Sequence, residues 1–241
     1  MATLTEHHRR GFGTTLRSLL AIGEHGSGGS ASSRIATSED TAERNRLLEH
    51  QNRELRLAVL RLRRLVYVDD LTGLANRRHF EDALHAEIRR ASRDAVPLSL
   101  VLCDVDFFKR CNDTFGHEGG DAVLRKLGEV LRGFCRRAGD VAARYGGEEF
   151  ALLLPGVSTS DAIHIGECLR RSVAALTIRC KDIVHPSQVT ISVGVTTFHA
   201  VTPCTPSTLV RAADAGLYRA KSAGRNRTVF QAIERAHKSV G

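Results

Sequence analysis

The sequence predicts an α+β fold in which one sheet is covered by helices and preceded by a long N-terminal helix. Between Leu98 and Thr197, apolar strand-like runs and helical periodicities follow in the order strand, helix, strand, strand, helix, strand. A Gly146-Gly147 pair separates two of these strands and indicates a hairpin. Residues 38–68 contain no glycine or proline and have leucines at a spacing of seven. The strand and helix order is the split βαβ arrangement (βαββαβ) of ferredoxin-like folds, with helices added.

The N-terminal part divides into two segments of different character. Residues 1–37 are rich in Gly, Ser and Thr, which predicts a flexible leader. Residues 38–68 predict a parallel two-stranded coiled coil that joins two chains into a homodimer. The positions that form its seam are Leu48, Leu55 and Leu62, with Asn45, Asn52, Val59 and Val66 as companions. The alternative is a single amphipathic helix lying on the globular domain.

The globular domain is predicted to occupy residues 69–241. Its first helix follows Asn76, which we expect to be the N-cap, and Pro97 leads into a central strand that is apolar on both faces. The predicted elements, in order, are a helix with the apolar face Phe80, Ala83, Leu84, Ile88 and Ala91; the strand "LSLVLCDVD"; a helix opened by Asp121; the strands "VAARY" and "EFALLLP"; a helix at 160–176; a strand at 189–197; a helix at 207–222 burying Val210, Ala213, Leu217 and Ala220; and an edge strand "TVFQ".

Acidic side chains are predicted to meet at one edge of this sheet. In the expected topology the first and third strands are antiparallel neighbours, so Asp104 and Asp106 face Glu148 and Glu149. Clustered carboxylates repel one another unless a cation offsets them, and hard oxygen ligands select Mg²⁺ or Mn²⁺. The alternative is that the two aspartates simply end a strand and Glu148 faces solvent. Positive charge for phosphates comes from Lys109, Lys221 and Arg225.

Composition limits the remaining function classes. No apolar run approaches the roughly 20 residues of a membrane span, and the N-terminus lacks the apolar core of a signal peptide. The six cysteines form no C-x-x-C pair, which favours reduced thiols and a cytoplasmic protein. The net charge of +8 suits nucleic acid, yet no nucleic-acid-binding motif accompanies it, so we expect no nucleic-acid partner. A basic surface suits a small polyphosphate ligand equally well.

Five motifs in the order of one family lie between Asp69 and Phe230. They are "DDLTGLANRR" (69–78), "CDVDFFKRCNDTFGHEGGDAVL" (103–124), "ARYGGEEFALLLPG" (143–156), "VTISVGV" (189–195) and "ADAGLYRAKSAGRNR" (213–227). The chain resembles GGDEF domains, the diguanylate cyclases. Glu at the third signature position is tolerated in that family, so the signature "GGEEF" is intact.

The resemblance implies roles for individual residues. Metal ligands are expected at Asp104, the carbonyl of Val105 and Glu148, with Glu149 adjoining, and Asp106 in a supporting role. Asn112 and Asp121 match the pair that binds the guanine edge. Residues expected around the phosphates are Phe107, Phe108, Lys109, Lys221 and Arg225, with Gly146 and Gly147 leaving space for the nucleotide.

The implied reaction joins two GTP molecules into cyclic di-GMP and releases two pyrophosphates, with Glu148 as the base and Lys109 offsetting developing charge. Because each subunit would hold one GTP, the coiled coil would keep two domains together. Arg137 and Asp140 match the family's Arg-x-x-Asp product-inhibition site, although Cys168 stands where some members have a supporting arginine. The main alternative is a non-catalytic module that binds GTP or cyclic di-GMP as a signalling receptor.

Overall fold

The computed structural model describes residues 31–176, 178–180, 183–185, 189–200 and 204–234. The elements in these ranges are α1 (Ala31–Tyr67), α2 (Arg77–Asp94), β1 (Leu98–Val105), α3 (Phe108–Phe134), β2 (Val141–Arg144), β3 (Glu149–Pro155), α4 (Thr159–Ala174), β4 (Ile178–Cys180), β5 (Ile183–His185), β6 (Ile191–Phe198), α5 (Pro206–Ser222) and β7 (Thr228–Phe230). The predicted α+β, ferredoxin-like class is confirmed.

A five-stranded sheet forms the centre of the globular part, in the order β2-β3-β1-β6-β7. β1 is antiparallel to both β3 and β6, β2 is antiparallel to β3, and the edge strand β7 is parallel to β6. Every residue of β1 is buried, as expected of a strand covered on both faces. The neighbouring first and third strands, the hairpin and the terminal edge strand therefore agree with the sequence predictions.

Alternation along β1 divides the core into two layers. Val101, Cys103 and Val105 pack on one face with apolar residues of α3 and α4. Leu98, Leu100 and Leu102 pack on the other face with apolar residues of α2 and α5. Because β1 is the central strand of the sheet, its C-terminal residues lie at the end of the sheet between these two helix layers.

The cap of α2 behaves as the sequence predicts. Asn76 Oδ1 accepts a hydrogen bond from the backbone N–H of His79 at 3.1 Å, and Asn76 Nδ2 donates to the carbonyl of Val66 at 2.8 Å. One side chain thus both starts α2 and holds the preceding segment.

The boundary predicted for α3 is wrong. The helix begins at Phe108 rather than at Asp121, and it is kinked at Gly116, where φ is 72° and ψ is 175°. Residues 112–120 are rich in Asn, Asp, Thr and Gly, which are weak helix formers and read as a loop in the sequence. Glycine alone adopts the Gly116 conformation readily, so two helical segments meet there and Asp121 lies within the second.

Three smaller differences separate the structure from the sequence predictions. Helix α1 already includes residues 31–37, which were predicted to be leader, while residues 1–30 of that segment lie outside the described ranges. The two-stranded β4–β5 sheet was not predicted. In α5, Leu209 is buried and Val210 is only partly buried.

The chain divides into two units, Met1–Ala58 and Val59–Gly241. Within the first, Leu48 and Leu55 of α1 are 48% and 68% exposed. Within the described part of the chain, no helix is both long enough and apolar enough to span a membrane.

Candidate active site

The ends of β1 and β3 bring acidic residues together. Asp104 lies directly opposite Glu149 in the antiparallel register. The backbone N–H of Val105 donates to the carbonyl of Glu148 at 3.3 Å, which extends the pairing by one step. The neighbouring strands therefore position Asp104, Val105, Glu148 and Glu149 at one sheet edge.

Asp104 is the most buried of these acids and contacts a cation of the protein. Its side chain is 7% exposed, and its Oδ2 atom is 2.8 Å from Nζ of Lys221 at the end of α5. Burial raises the pKa of Asp104 above its ordinary value, and the hydrogen bond from Lys221 opposes this only in part. The pKa of Glu148 is also raised, by burial and then by repulsion from Asp104. The site thus concentrates negative charge that one ammonium group does not fully offset.

The donor set fits a divalent cation that the substrate helps to bind. Among the described residues, no group of three or more His, Cys, Asp and Glu side chains stands ready to hold a metal ion. Magnesium commonly uses one or two carboxylates and takes its other oxygens from water and substrate phosphates. Asp104 and Glu148, with the Val105 carbonyl between the two strand ends, supply oxygen donors of that kind.

The glycine turn before β3 is shaped by Glu149. The backbone N–H groups of Tyr145 and Gly146 donate to the carbonyl of Glu149 at 2.8 and 3.2 Å. A Cβ atom on Gly146 would lie 2.6 Å from Oε2 of Glu149, so a side chain here would force that carboxylate to move. At Gly147 an added Cβ would meet nothing within 4 Å, so this residue faces open space.

Arg144 ties this turn to the start of the domain. Its Nε and Nη2 atoms donate to the carbonyl of Gly147 at 3.0 and 2.7 Å. Its Nη1 atom contacts Oδ2 of Asp69 at 3.2 Å. Arg144 is not among the residues predicted from the sequence to act in the site. Its position two residues before Gly146 is the sequence feature that could have indicated it.

Two residues proposed for the phosphates stack on one another. Phe107 is 61% exposed with a φ of 55°, and the guanidinium carbon of Arg225 lies 4.4 Å from the centre of its ring. Phe108 begins α3 and is buried in the core, whereas Lys109 is exposed beside it. The sheet edge is therefore next to a cationic, aromatic surface.

The residues expected to read guanine lie on the two segments of α3. Asn112 precedes the Gly116 kink, and its side-chain oxygen occupies the space in which a Cβ atom of Gly120 would lie. Asp121 follows the kink and its Oδ2 is 3.7 Å from Nη2 of Arg125. The close approach at Gly120 is what allows Asn112 to lie against the second segment.

Asp106 is used for structural contacts. Its Oδ1 accepts from Oγ of Ser192 at 2.6 Å, and its Oδ2 accepts from Oγ1 of Thr190 at 2.7 Å and from the N–H of Asn226 at 3.0 Å. These contacts tie Asp106 to the β6 side of the sheet edge, and its supporting role at a metal stays a prediction.

The Arg-x-x-Asp segment forms a turn before β2. Oδ2 of Asp140 accepts from the backbone N–H groups of Arg136 and Arg137, both at 2.9 Å. Its Oδ1 atom is buried and has no hydrogen-bond partner in the described part of the structure. Arg137 itself is exposed, and its guanidinium makes no hydrogen bond or ion pair with the described residues.

Helix α4 shows no obvious substitute for the supporting arginine that some family members have at the position of Cys168. Cys168 Sγ lies 3.4 Å from Nε2 of His164. The nearby Arg170 and Arg171 both bind Glu167, at 2.7 and 2.8 Å.

Comparison with known proteins identifies the family. Residues 66–227 match the family described as "Diguanylate cyclase, GGDEF domain". Among curated proteins, the chain is 42% identical over 168 residues to the response regulator PleD of Caulobacter vibrioides, and 41% identical over 165 residues to the diguanylate cyclase DgcP of Pseudomonas aeruginosa. These matches cover 70% and 68% of this chain, but only 37% of PleD and 24% of DgcP.

Solved structures agree with this result. The coiled coil and GGDEF domain of DgcB from Caulobacter crescentus, in complex with c-di-GMP, is 32% identical with a TM-score of 0.66, covering 83% of this chain and 99% of that one. The diguanylate cyclase SiaD, in complex with its activator SiaC from Pseudomonas aeruginosa, is 38% identical with a TM-score of 0.67, covering 83% and 75%. The family match, the sheet topology and the intact glycine-acid signature lead to one conclusion: the chain belongs to the diguanylate cyclase GGDEF-domain family.

Proposed function

We propose that the chain is a diguanylate cyclase, which condenses two GTP molecules into cyclic di-GMP and releases two pyrophosphates. The observation that carries the proposal is the meeting of Asp104, Glu148 and Lys221 at the ends of three separate elements. Acids with raised pKa values beside a lysine form a site that accepts both a cation and phosphate charge. The curated relatives named diguanylate cyclase support this assignment.

The cation of this site is Mg²⁺ or Mn²⁺. Asp104, the carbonyl of Val105 and Glu148 would hold it, with Glu149 adjoining. When bound, such an ion polarises phosphoryl oxygens and favours deprotonation of an attacking hydroxyl.

The nucleotide is bound by the two surfaces that flank the sheet edge. Asn112 and Asp121 supply an amide and a carboxylate, which together match the acceptors and donors of guanine. Gly147 faces open space in which a nucleotide fits without a side-chain clash. The phosphates would contact Phe107, Lys109, Lys221 and Arg225, together with the backbone at Phe108, whose side chain is buried in the core.

In the chemical step, the 3′-oxygen of one GTP attacks the α-phosphorus of the other. The bond to pyrophosphate breaks, and the proton of the 3′-hydroxyl passes to Glu148, which lies where the ends of β1 and β3 meet. Lys109 offsets negative charge that develops on the phosphate oxygens. A second, identical step closes the ring, so two GTP molecules must face each other.

The second GTP comes from a second copy of the chain. Residues 38–68 would form the homodimer through a coiled coil, and the exposed apolar side chains of Leu48, Leu55, Val59 and Val66 support this role. The DgcB structure that includes a coiled coil supports the same arrangement. Such a tether raises the effective concentration of the partner domain.

Product inhibition at Arg137 and Asp140 is part of the proposal. The exposed Arg137 offers a guanidinium fork for the guanine and phosphate groups of cyclic di-GMP, and Asp140 holds the turn that presents it by accepting the backbone N–H groups of Arg136 and Arg137. Cys168, bound to His164, contributes no positive charge there, so we expect inhibition to be weak.

A cytoplasmic location completes the proposal. GTP is abundant there, and Cys103, Cys135, Cys168 and Cys204 have free thiols, as in a reducing compartment.

The test is conversion of GTP with Mg²⁺ by the purified chain, followed by mass analysis of the product. We expect cyclic di-GMP from the wild type, a loss of at least about 100-fold in Glu148→Gln, and little change in Glu81→Gln, which removes an exposed carboxylate of α2. A wild type that binds GTP or cyclic di-GMP but yields no product would instead support the non-catalytic signalling module. Full activity in Glu148→Gln would contradict the assigned mechanism.

A further inference from the structure

The loop after α5 holds its backbone in an unusual conformation. Gly224, Arg225 and Asn226 have φ values of 108°, 62° and 45°. For residues with a side chain, this left-handed region costs on the order of 1 kcal/mol each and persists where surrounding contacts impose it. The guanidinium of Arg225, which rests on Phe107, is aimed by this conformation.

Two hydrogen bonds of Asn226 connect the loop to other elements of the domain. Its backbone N–H donates to Oδ2 of Asp106 at 3.0 Å, which fixes the loop to the end of β1. Its side-chain Oδ1 accepts from Nη1 of Arg170 at 2.7 Å, which fixes the loop to α4. Together with the bond from the Arg225 N–H to the carbonyl of Ala220 at 3.0 Å, these two contacts from different elements hold the peptide next to Arg225.

Arg170 is itself immobilised. Its Nε and Nη2 atoms bind the two carboxylate oxygens of Glu167 at 2.9 and 2.7 Å, so Nη1 is left to reach Asn226. The side chain is only 17% exposed. Glu167 is fixed in turn by Oγ1 of Thr228 at 3.3 Å, and its arginine partners lower its pKa to about 2. A bidentate pair of this kind is rigid.

We propose that Arg170 is a positioning residue for the phosphate-binding Arg225, acting through Asn226. This inference rests on the proposed function, because it assigns Arg225 to the GTP phosphates. Arg170 touches no reacting atom; it keeps the left-handed loop in place so that the Arg225 guanidinium does not have to be ordered when GTP binds.

Arg171 supplies a matched control. It binds the same carboxylate, with Nε 2.8 Å from Oε1 of Glu167, but its side chain is 73% exposed and makes no described contact with Asn226. Arg171→Ala removes the same charge from α4 and leaves the loop contact intact. Arg170→Ala removes the loop contact as well.

The experiment measures kcat and KM for GTP in both variants. We expect Arg170→Ala to raise KM about tenfold, with kcat within about twofold of wild type, and Arg171→Ala to change neither by more than about twofold. Asn226→Gly keeps a residue suited to positive φ but removes the acceptor. It should give the same rise in KM, and the double variant Arg170→Ala/Asn226→Gly should be no worse than either single variant.

A second readout does not depend on catalysis. Hydrogen exchange at the Asn226 amide should quicken in Arg170→Ala but not in Arg171→Ala, because only the former releases the loop. Equal KM values and equal exchange in the two variants would overturn the inference. A wild type without cyclase activity would contradict the proposed function. The comparison of hydrogen exchange at the Asn226 amide would still decide whether Arg170 holds the loop.

Discussion

Lys221 places its Nζ atom 2.8 Å from Oδ2 of Asp104, so an ammonium group of the protein neutralises the buried acid at the end of β1. The same lysine is assigned to the substrate phosphates. On the proposed function, it would compete with a divalent cation for Asp104 in the absence of GTP.

Replacing Lys221 should separate these two roles. In Lys221→Met we expect Mn²⁺ alone to bind several-fold more tightly, because no ammonium competes for Asp104, while the KM for GTP rises about tenfold or more. Titration of Mn²⁺ without nucleotide and steady-state kinetics measure the two effects. Lys126→Met, which removes an exposed lysine that pairs with Glu129 on α3, is the control. Weaker Mn²⁺ binding in Lys221→Met would contradict this account.

Gly120 should matter for nucleotide binding through Asn112. In Gly120→Ala, the new Cβ would collide with the Asn112 side chain and displace it, so we expect the KM for GTP to rise about tenfold with a smaller effect on kcat. Gly133→Ala lies in the same helix with nothing within 4 Å of the new atom. It should leave the KM unchanged and stabilise the fold by about 0.5–1 kcal/mol. Equal KM values in the two variants would show that Asn112 does not bind the substrate.

Arg144 should keep the signature turn in register. Arg144→Lys keeps a positive charge near Asp69 but loses the two hydrogen bonds to the Gly147 carbonyl. We expect a loss of about 1 kcal/mol of stability in urea unfolding and a fall in kcat of about tenfold, because the turn carries Glu148. Arg90→Lys, which changes an exposed arginine of α2 that pairs with Glu87 and Asp94, should change kcat little. An unchanged kcat in Arg144→Lys would show that Arg144 is not needed to position Glu148 for catalysis.

The contribution of Glu167 to stability should depend on pH. Its folded pKa of about 2 lies below the ordinary value of 4.5, so its stabilisation is present above about pH 4.5 and is lost as the pH falls towards 2. The free energy of unfolding of Glu167→Gln should therefore be clearly lower than that of the wild type at pH 7, and the gap should narrow at pH 3.5. Urea denaturation at both pH values gives the comparison. A gap that widens on acidification would contradict the depressed pKa.

The central part of the fold was predictable because local pattern and burial agree there. The run "LSLVLC", apolar except for Ser99, indicates a strand covered on both faces, and the hairpin glycines pair β3 with β2. The split βαβ topology then makes β1 and β3 neighbours, which brings Asp104 near Glu149. Asn76 was predictable as a cap for a similarly local reason.

Other features depend on contacts between segments far apart in the sequence. The start of α3 was missed because Asn, Asp and Gly residues within it read as a loop, while Gly116 and the packing of Phe108 stabilise a kinked helix. The pairings Lys221–Asp104 and Arg170–Asn226 join residues more than 50 positions apart, and no periodicity indicates such pairs. The short β4–β5 sheet lacks an apolar pattern that would distinguish it from a loop.

The most direct test of the central claim uses dimers that contain one wild-type chain and one Glu148→Gln chain, separated by different affinity tags. If each chain supplies one half of the catalytic centre, a mixed dimer can form one phosphodiester bond and release one pyrophosphate, but cannot close the ring. We predict that the linear dinucleotide pppGpG accumulates with mixed dimers and cyclic di-GMP with wild-type dimers. Cyclic di-GMP formed by mixed dimers at half the wild-type rate, without the linear product, would contradict the account.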